Sequence, residues 1–168
     1  MDSNFTWNRF TVRINIKNTP LEKLYAAWAT RKGIEYWFLR KSEYKTADGT
    51  ILNDEEPVKA GDTYRWYWHG YGDDTKEEGT ILNCNGKDHF KFRFGGAGDC
   101  TVKIYREQDE MIVELLQDNI PTDEQSKINW HIGCKTGWTF YLANLKSLCE
   151  GGIDLRNKDE QLQNMLNA

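Results

Sequence analysis

Residues Gly137–Arg156 read GWTFYLANLKSLCEGGIDLR, and this stretch decides the fold. Trp138, Tyr141, Leu142, Leu145, Leu148 and Cys149 fall at three- and four-residue steps, which place them on one stripe of a long helix. Gly151-Gly152 closes that helix, because glycine tolerates the left-handed turn that ends it. Upstream, after Pro121, Thr122 with Gln125 predicts a capping box at the helix start. A helix with one apolar stripe must lay it against another apolar face. The rest of the chain supplies that face.

Working outward, Phe10, Val12, Ile14 and Ile16 alternate with Thr11, Arg13, Asn15 and Lys17, the period of a strand with one wet side. Asn18-Thr19-Pro20 ends it. Thr19 is expected as the N-cap of a short helix, with Pro20 at its first position and Glu22 at its third. Leu21, Leu24, Tyr25 and Trp28 form its stripe, and a second short helix is expected around Ile34–Leu39. From Ser42 to Gln117 the pattern is strands and turns, punctuated by Asp48-Gly49, Gly61-Asp62, Asn85-Gly86 and Gly95-Gly96. Tyr64, Trp66 and Trp68 share one face; so do Phe90, Phe92 and Phe94, then Val102 and Ile104, then Met111, Val113 and Leu115. These strands predict an antiparallel meander with one dry face. Twisted sheets curl, so the predicted fold is α+β. It is a helix-grip, in which a curved antiparallel sheet of about six to seven strands wraps the C-terminal helix. Residues 1–156 are expected to form this domain. Residues 157–168 are expected as a polar tail, with Leu162, Met165 and Leu166 as its apolar anchors.

With 168 residues the chain fits one domain. Its 7 Trp, 8 Tyr and 7 Phe exclude a disordered protein. The net charge of −4 argues against a nucleic-acid partner, which would call for a basic surface. No apolar run reaches the ~20 residues of a membrane span, so no membrane partner is expected. The opening MDSNFTWNRF has no signal-peptide pattern. A cytoplasmic protein with reduced cysteines is expected, and the Asn4-Phe5-Thr6 sequon then carries no meaning.

The order of elements, and several local strings, resemble the START-like (SRPBCC) superfamily, specifically the AHSA family, named after the activator of the Hsp-ninety ATPase. Gly137-Trp138, Leu142, Leu145, Lys146, Leu148, Glu150, Gly151 and Asp154-Leu155-Arg156 carry most of the likeness. The string Pro20-Leu21-Glu22-Lys23-Leu24-Tyr25-Ala26-Ala27-Trp28, together with Trp37, Gly61-Asp62 and Gly79-Thr80-Ile81, carries the rest. The resemblance implies the helix-grip fold and a cavity between sheet and long helix that takes a hydrophobic small molecule.

Candidate cavity residues are Trp66, Trp68, Phe90, Phe92, Phe94, Trp138, Tyr141, Leu142 and Leu145. Such residues either line a pocket or fill a core, and the two roles are compatible. No metal or cofactor is expected. His69, His89 and His131 show no ligand spacing, and His131 with Cys134 at i, i+3 lacks the two further ligands of a tetrahedral site. No cysteine sits in a CxxC, and Cys84 and Cys149 read as small hydrophobes. Gly95-Gly96-Ala97-Gly98 joins two strands, which excludes a phosphate loop. The acidic run Asp48–Glu56 lacks EF-hand spacing. Glu114 is expected on the wet side of its strand. Gly137 costs a helix about 1 kcal/mol relative to alanine, which predicts a close neighbour near Trp28–Trp37.

Three functions follow. The first is a non-enzymatic module binding an apolar or aromatic small molecule. The second is a co-chaperone-like interaction domain, using the sheet surface or the acidic segment Glu107–Glu124. The third is an enzyme of the polyketide cyclase or aromatase type.

Overall fold

Alternation in the first strand puts Phe10 and Ile16 into the core and leaves Thr11 and Arg13 outside, giving β1 (Phe10–Ile16). The computed structural model describes residues 5–162, 164 and 165. Asn4 of the sequon and Leu166 of the tail lie outside the described residues. After β1 come α1 (Leu21–Ala29) and α2 (Arg31–Trp37), then β2 (Lys41–Lys45), β3 (Thr63–Tyr67), β4 (Lys76–Cys84) and β5 (His89–Arg93). A single 3-10 turn at Gly95–Ala97 leads into β6 (Asp99–Glu107) and β7 (Glu110–Asp118). The chain then runs through α3 (Glu124–Ser126), a wide π-helical stretch Lys127–Ile132, and α4 (Gly133–Cys149).

Two caps differ from the sequence expectation. Pro20 itself occupies the N-cap position of α1, and the Thr19 hydroxyl instead donates to the Lys17 carbonyl at 3.0 Å. At the long helix the cap is Asp123, whose carboxylate accepts from the Ser126 amide at 3.0 Å. Aspartate serves this role as well as threonine does, and sequence alone does not choose between adjacent cap formers.

The seven strands form one antiparallel sheet in the order β1-β7-β6-β5-β4-β3-β2. Directly paired residues share a face, so the register identifies the inner one. Val12 pairs with Leu115, Phe90 with Val102, Phe92 with Cys100, and Tyr64 with Gly79. That concave face closes over α4, whose Trp138, Tyr141, Leu142 and Leu145 are buried against it. α1 and α2 plug the sheet's open end, where Trp28 and Trp37 meet edge to face at 4.6 Å.

The outer face is charged. Arg13 pairs there with Glu107 and Glu114, and the Tyr105 hydroxyl donates to Glu114 at 2.9 Å. Glu114 therefore faces the wet side. Beyond α4 the chain folds back onto α2. Arg156, nearly fully buried, donates to the carbonyls of Glu35 and Leu39 at 3.0 Å and of Tyr36 at 2.8 Å. These oxygens belong to the last turn of α2 and the residues just after it, where backbone acceptors lack helical partners.

Candidate functional site

The inner face of the sheet does not pack uniformly against α4. Trp66, Phe90, Phe92 and Leu142 are completely buried, with Trp66 and Phe92 in ring contact at 5.1 Å. Toward one end of the helix the packing opens into a groove of about 270 Å³. Six aromatic rings line it: Phe38, Trp68, Tyr71, Phe94, Trp138 and Tyr141. Phe38 sits at the hub, 4.7 Å from Tyr141, 4.9 Å from Trp138 and 5.8 Å from Trp68. Thr75, Asn129 and Cys134 add polar atoms to the lining.

The nine candidate cavity residues thus separate. Trp68, Phe94, Trp138 and Tyr141 line this groove, whereas Trp66, Phe90, Phe92 and Leu142 lie beneath it as packed core. Leu145 instead touches a second opening, between α4 and the helix pair α1–α2. The packed set sits on β3, on the central strand β5 and on the middle of α4, where rings interlock from both sides.

Phe38 and Tyr71 were not legible as site residues. Both lie in connecting segments, where side-chain direction has no period to read. The signal that points to Phe38 is its place directly after Trp37 at the end of a short helix that must bury something.

Gly137 corrects a sequence expectation. A Cβ built there meets nothing within 4 Å, and the residue lines the groove. The missing side chain leaves the groove open rather than admitting a packed neighbour.

The groove wall is fixed by a buried polar chain. The Trp138 indole Nε1 donates to Gln117 Oε1 at 2.9 Å, and Gln117 Nε2 donates to the Ala97 carbonyl at 2.9 Å. This ties α4, β7 and the turn after Phe94 together. Burial pushes the Cys134 thiol up to about 11, against an opposing hydrogen bond with Gln117.

Glu77 lies behind the groove wall, near Cys134 and beside Gly95. It pairs across the ladder with Trp66 and so shares the concave face, although its neighbours Lys76 and Glu78 are exposed. Burial raises its carboxyl above the usual range. A Cβ on Gly95 would strike this carboxylate, so glycine at that position leaves it room.

His131 and Cys134 do not converge. His131 is buried among Phe5, Trp7 and Phe10, with Nδ1 donating to the Trp7 carbonyl at 3.0 Å, while Cys134 faces the groove. Among the described residues no group of three His, Cys, Asp or Glu is placed to hold a metal ion. No helix among them is long and apolar enough to cross a membrane.

The family described as activator of Hsp90 ATPase homolog 1-like protein matches residues 18–150, from just before α1 to the end of α4. The chain belongs to this family. Solved structures place the family's fold around it. The Staphylococcus saprophyticus protein SSP2350 superposes with a TM-score of 0.67 at 19% identity, covering 88% of this chain and 96% of that one. The Aha1 dimer from Colwellia psychrerythraea gives 0.63 at 16%, covering 86% and 97%. PFC0360w, an HSP90 activator from Plasmodium falciparum, gives 0.58 at 16%, covering 84% and 96%. At these identities the likeness concerns the helix-grip fold. No curated protein sequence matches the chain significantly. Within the family match lie Phe38, Trp68, Tyr71, Phe94, Trp138 and Tyr141, all the rings of the groove.

Proposed function

We propose that this member of the Hsp90-activator-like family is a non-enzymatic binding module that holds an apolar or aromatic small molecule in the groove between sheet and α4. The observation that carries the reading is the convergence of six aromatic rings on one open site, next to a core that is otherwise filled. Aromatic walls with a few placed polar atoms are the usual make-up of small-molecule sites. At about 270 Å³ the groove suits a ligand of one or two rings. The polar lining speaks against covalent catalysis. A thiol held near 11 is not a nucleophile at neutral pH. A cytoplasmic setting fits this role, with the four cysteines reduced; none of them forms a disulfide.

Native mass spectrometry of protein purified under mild conditions tests the proposal. The expected result is a non-protein mass that is lost on organic extraction, with the extracted protein then taking up a two-ring aromatic probe. A protein without bound mass that also takes up no such probe contradicts it.

A second reading, a chaperone-binding surface, draws support from the likeness to the Plasmodium activator and from the charged outer face around Arg13, Glu107 and Glu114. Its test is the ATPase rate of an Hsp90-type chaperone with and without the protein. Stimulation that is lost on reversing the charge of Glu107 and Glu114 supports it, and an unchanged rate rejects it.

A further inference from the structure

We propose that the groove selects an organic cation, a protonated amine carried on an aromatic or apolar body, with Glu77 as its counter-charge. This rests on the reading of the groove as a ligand site and adds the ligand's chemical class.

The strand register sets Glu77 apart from its neighbours. Lys76 and Glu78 form a surface ion pair at 3.6 Å, and Glu78 also takes Arg65 at 2.5 Å. Glu77 lies between them, turned to the concave side opposite Trp66. Among the described residues it has no lysine, arginine or histidine within ion-pair distance. A half-buried carboxylate without a cation is a costly arrangement for folding alone.

The neighbours of Glu77 belong to the groove. Thr75, two residues earlier on the same face of the chain, lines the groove, as do Phe94, next to Gly95, and Cys134, whose thiol feels the Glu77 charge. The carboxylate therefore stands directly behind the wall formed by Thr75, Phe94 and Cys134, and the proposed pairing requires the head group of a bound molecule to reach it between them.

The lining itself also favours a cation. It contains six ring faces and no lysine or arginine. Ring faces attract cations, and an unpaired carboxylate repels anions. Both features favour positive charge. Burial raises the Glu77 carboxyl from its usual range, and a bound ammonium would act in the opposite direction, because a neighbouring cation favours the carboxylate.

Three matched probes separate the possibilities: naphthylethylamine, naphthylethanol and naphthylacetate, titrated calorimetrically at pH 7.5 into the full chain and into Glu77→Gln. The amine is expected to bind at least about tenfold tighter than the alcohol, an effect of the size of one ion pair with cation–π support. The acetate is expected to bind weakest. In Glu77→Gln the amine and alcohol should converge, with the alcohol's affinity unchanged. Glu77→Asp, which keeps the charge, should retain part of the preference and guards against misfolding of the glutamine variant. Equal binding of amine and alcohol to the unmodified chain overturns the proposal while leaving the groove as a ligand site. A preference that survives in Glu77→Gln also overturns it. Failure of all three probes to bind overturns both readings together.

Discussion

The Trp138 indole donates to the Gln117 side chain at 2.9 Å inside the core, linking α4 to β7 at a point where neither residue is open to water. The same amide holds the Ala97 carbonyl, so one side chain fixes the helix and the turn that presents Phe94. Gln117→Leu keeps the volume but orphans an indole N–H and a carbonyl. It is expected to cost ~1–3 kcal/mol, measured by urea unfolding; a neutral result would show that the link does not contribute. Trp138→Ala, which also leaves a cavity, is expected to cost ~3–5 kcal/mol.

Gly137 offers a variant in which stability and binding move in opposite directions. Alanine there meets open space, so helix propensity should act unopposed and raise stability by ~0.5–1 kcal/mol. The added methyl narrows the groove, so affinity for an aromatic probe should fall. A destabilised Gly137→Ala would mean that a neighbour packs against the position after all.

Arg156 clasps the end of α2, and the Asp154 carboxylate accepts two of its hydrogen bonds, at 2.7 and 2.9 Å. Burial alone would raise the Asp154 carboxyl, but the hydrogen bonds from Arg156 and Lys158 outweigh it and hold the group well below the ordinary carboxylate range. A carboxyl depressed in the folded state contributes stability above its unfolded pKa of ~3.9 and loses it as pH falls below that value. Arg156→Leu is expected to cost about 3 kcal/mol near neutrality and to flatten the loss of stability between about pH 4 and pH 2. Melting curves across that range check both; an unchanged acid slope would contradict the clasp. By the same argument, ending the chain after Ile153, which removes both Asp154 and Arg156, should lower the melting temperature.

Cys134 reports on the groove from within. With its thiol held up to about 11, alkylation should be slow at pH 7.5, accelerate steadily toward alkaline pH, and slow further when an aromatic probe is bound. Peptide mass mapping of the labelled residue measures each rate. Rapid labelling near neutrality, unaffected by probe, would place the thiol in an environment other than the one described.

Much of this architecture was legible in the sequence because it rests on periodicity. The stripe from Trp138 to Leu145, the alternation of β1, and the triplet Phe90, Phe92 and Phe94 each declare a buried face without reference to anything distant. The site was only partly legible. Trp138 and Tyr141 belong to a periodic stripe, but Phe38 and Tyr71 reach the groove from irregular segments. Glu77 is hidden inside Lys76-Glu77-Glu78, which reads as a solvated charged run. Only its pairing with Trp66 across the ladder shows that one of the two glutamates turns inward. The Asp154-Leu155-Arg156 string carried a family likeness without a visible reason. Its reason is the set of carbonyls at the end of α2, which no local pattern reveals.

The central claim is that the rings around Trp138 form a binding site, and it is tested most directly by following the indole N–H and aromatic resonances by NMR while titrating naphthylethanol. Saturable shifts are expected for Trp68 and Trp138 and for the rings of Phe38, Phe94 and Tyr141. Trp7, whose ring contacts are with Phe5 and His131 and with none of the groove rings, should stay put, and the groove shifts should vanish in a Gly137→Phe variant that fills the space. Shifts that fail to saturate, or that persist unchanged in the filled variant, would contradict it.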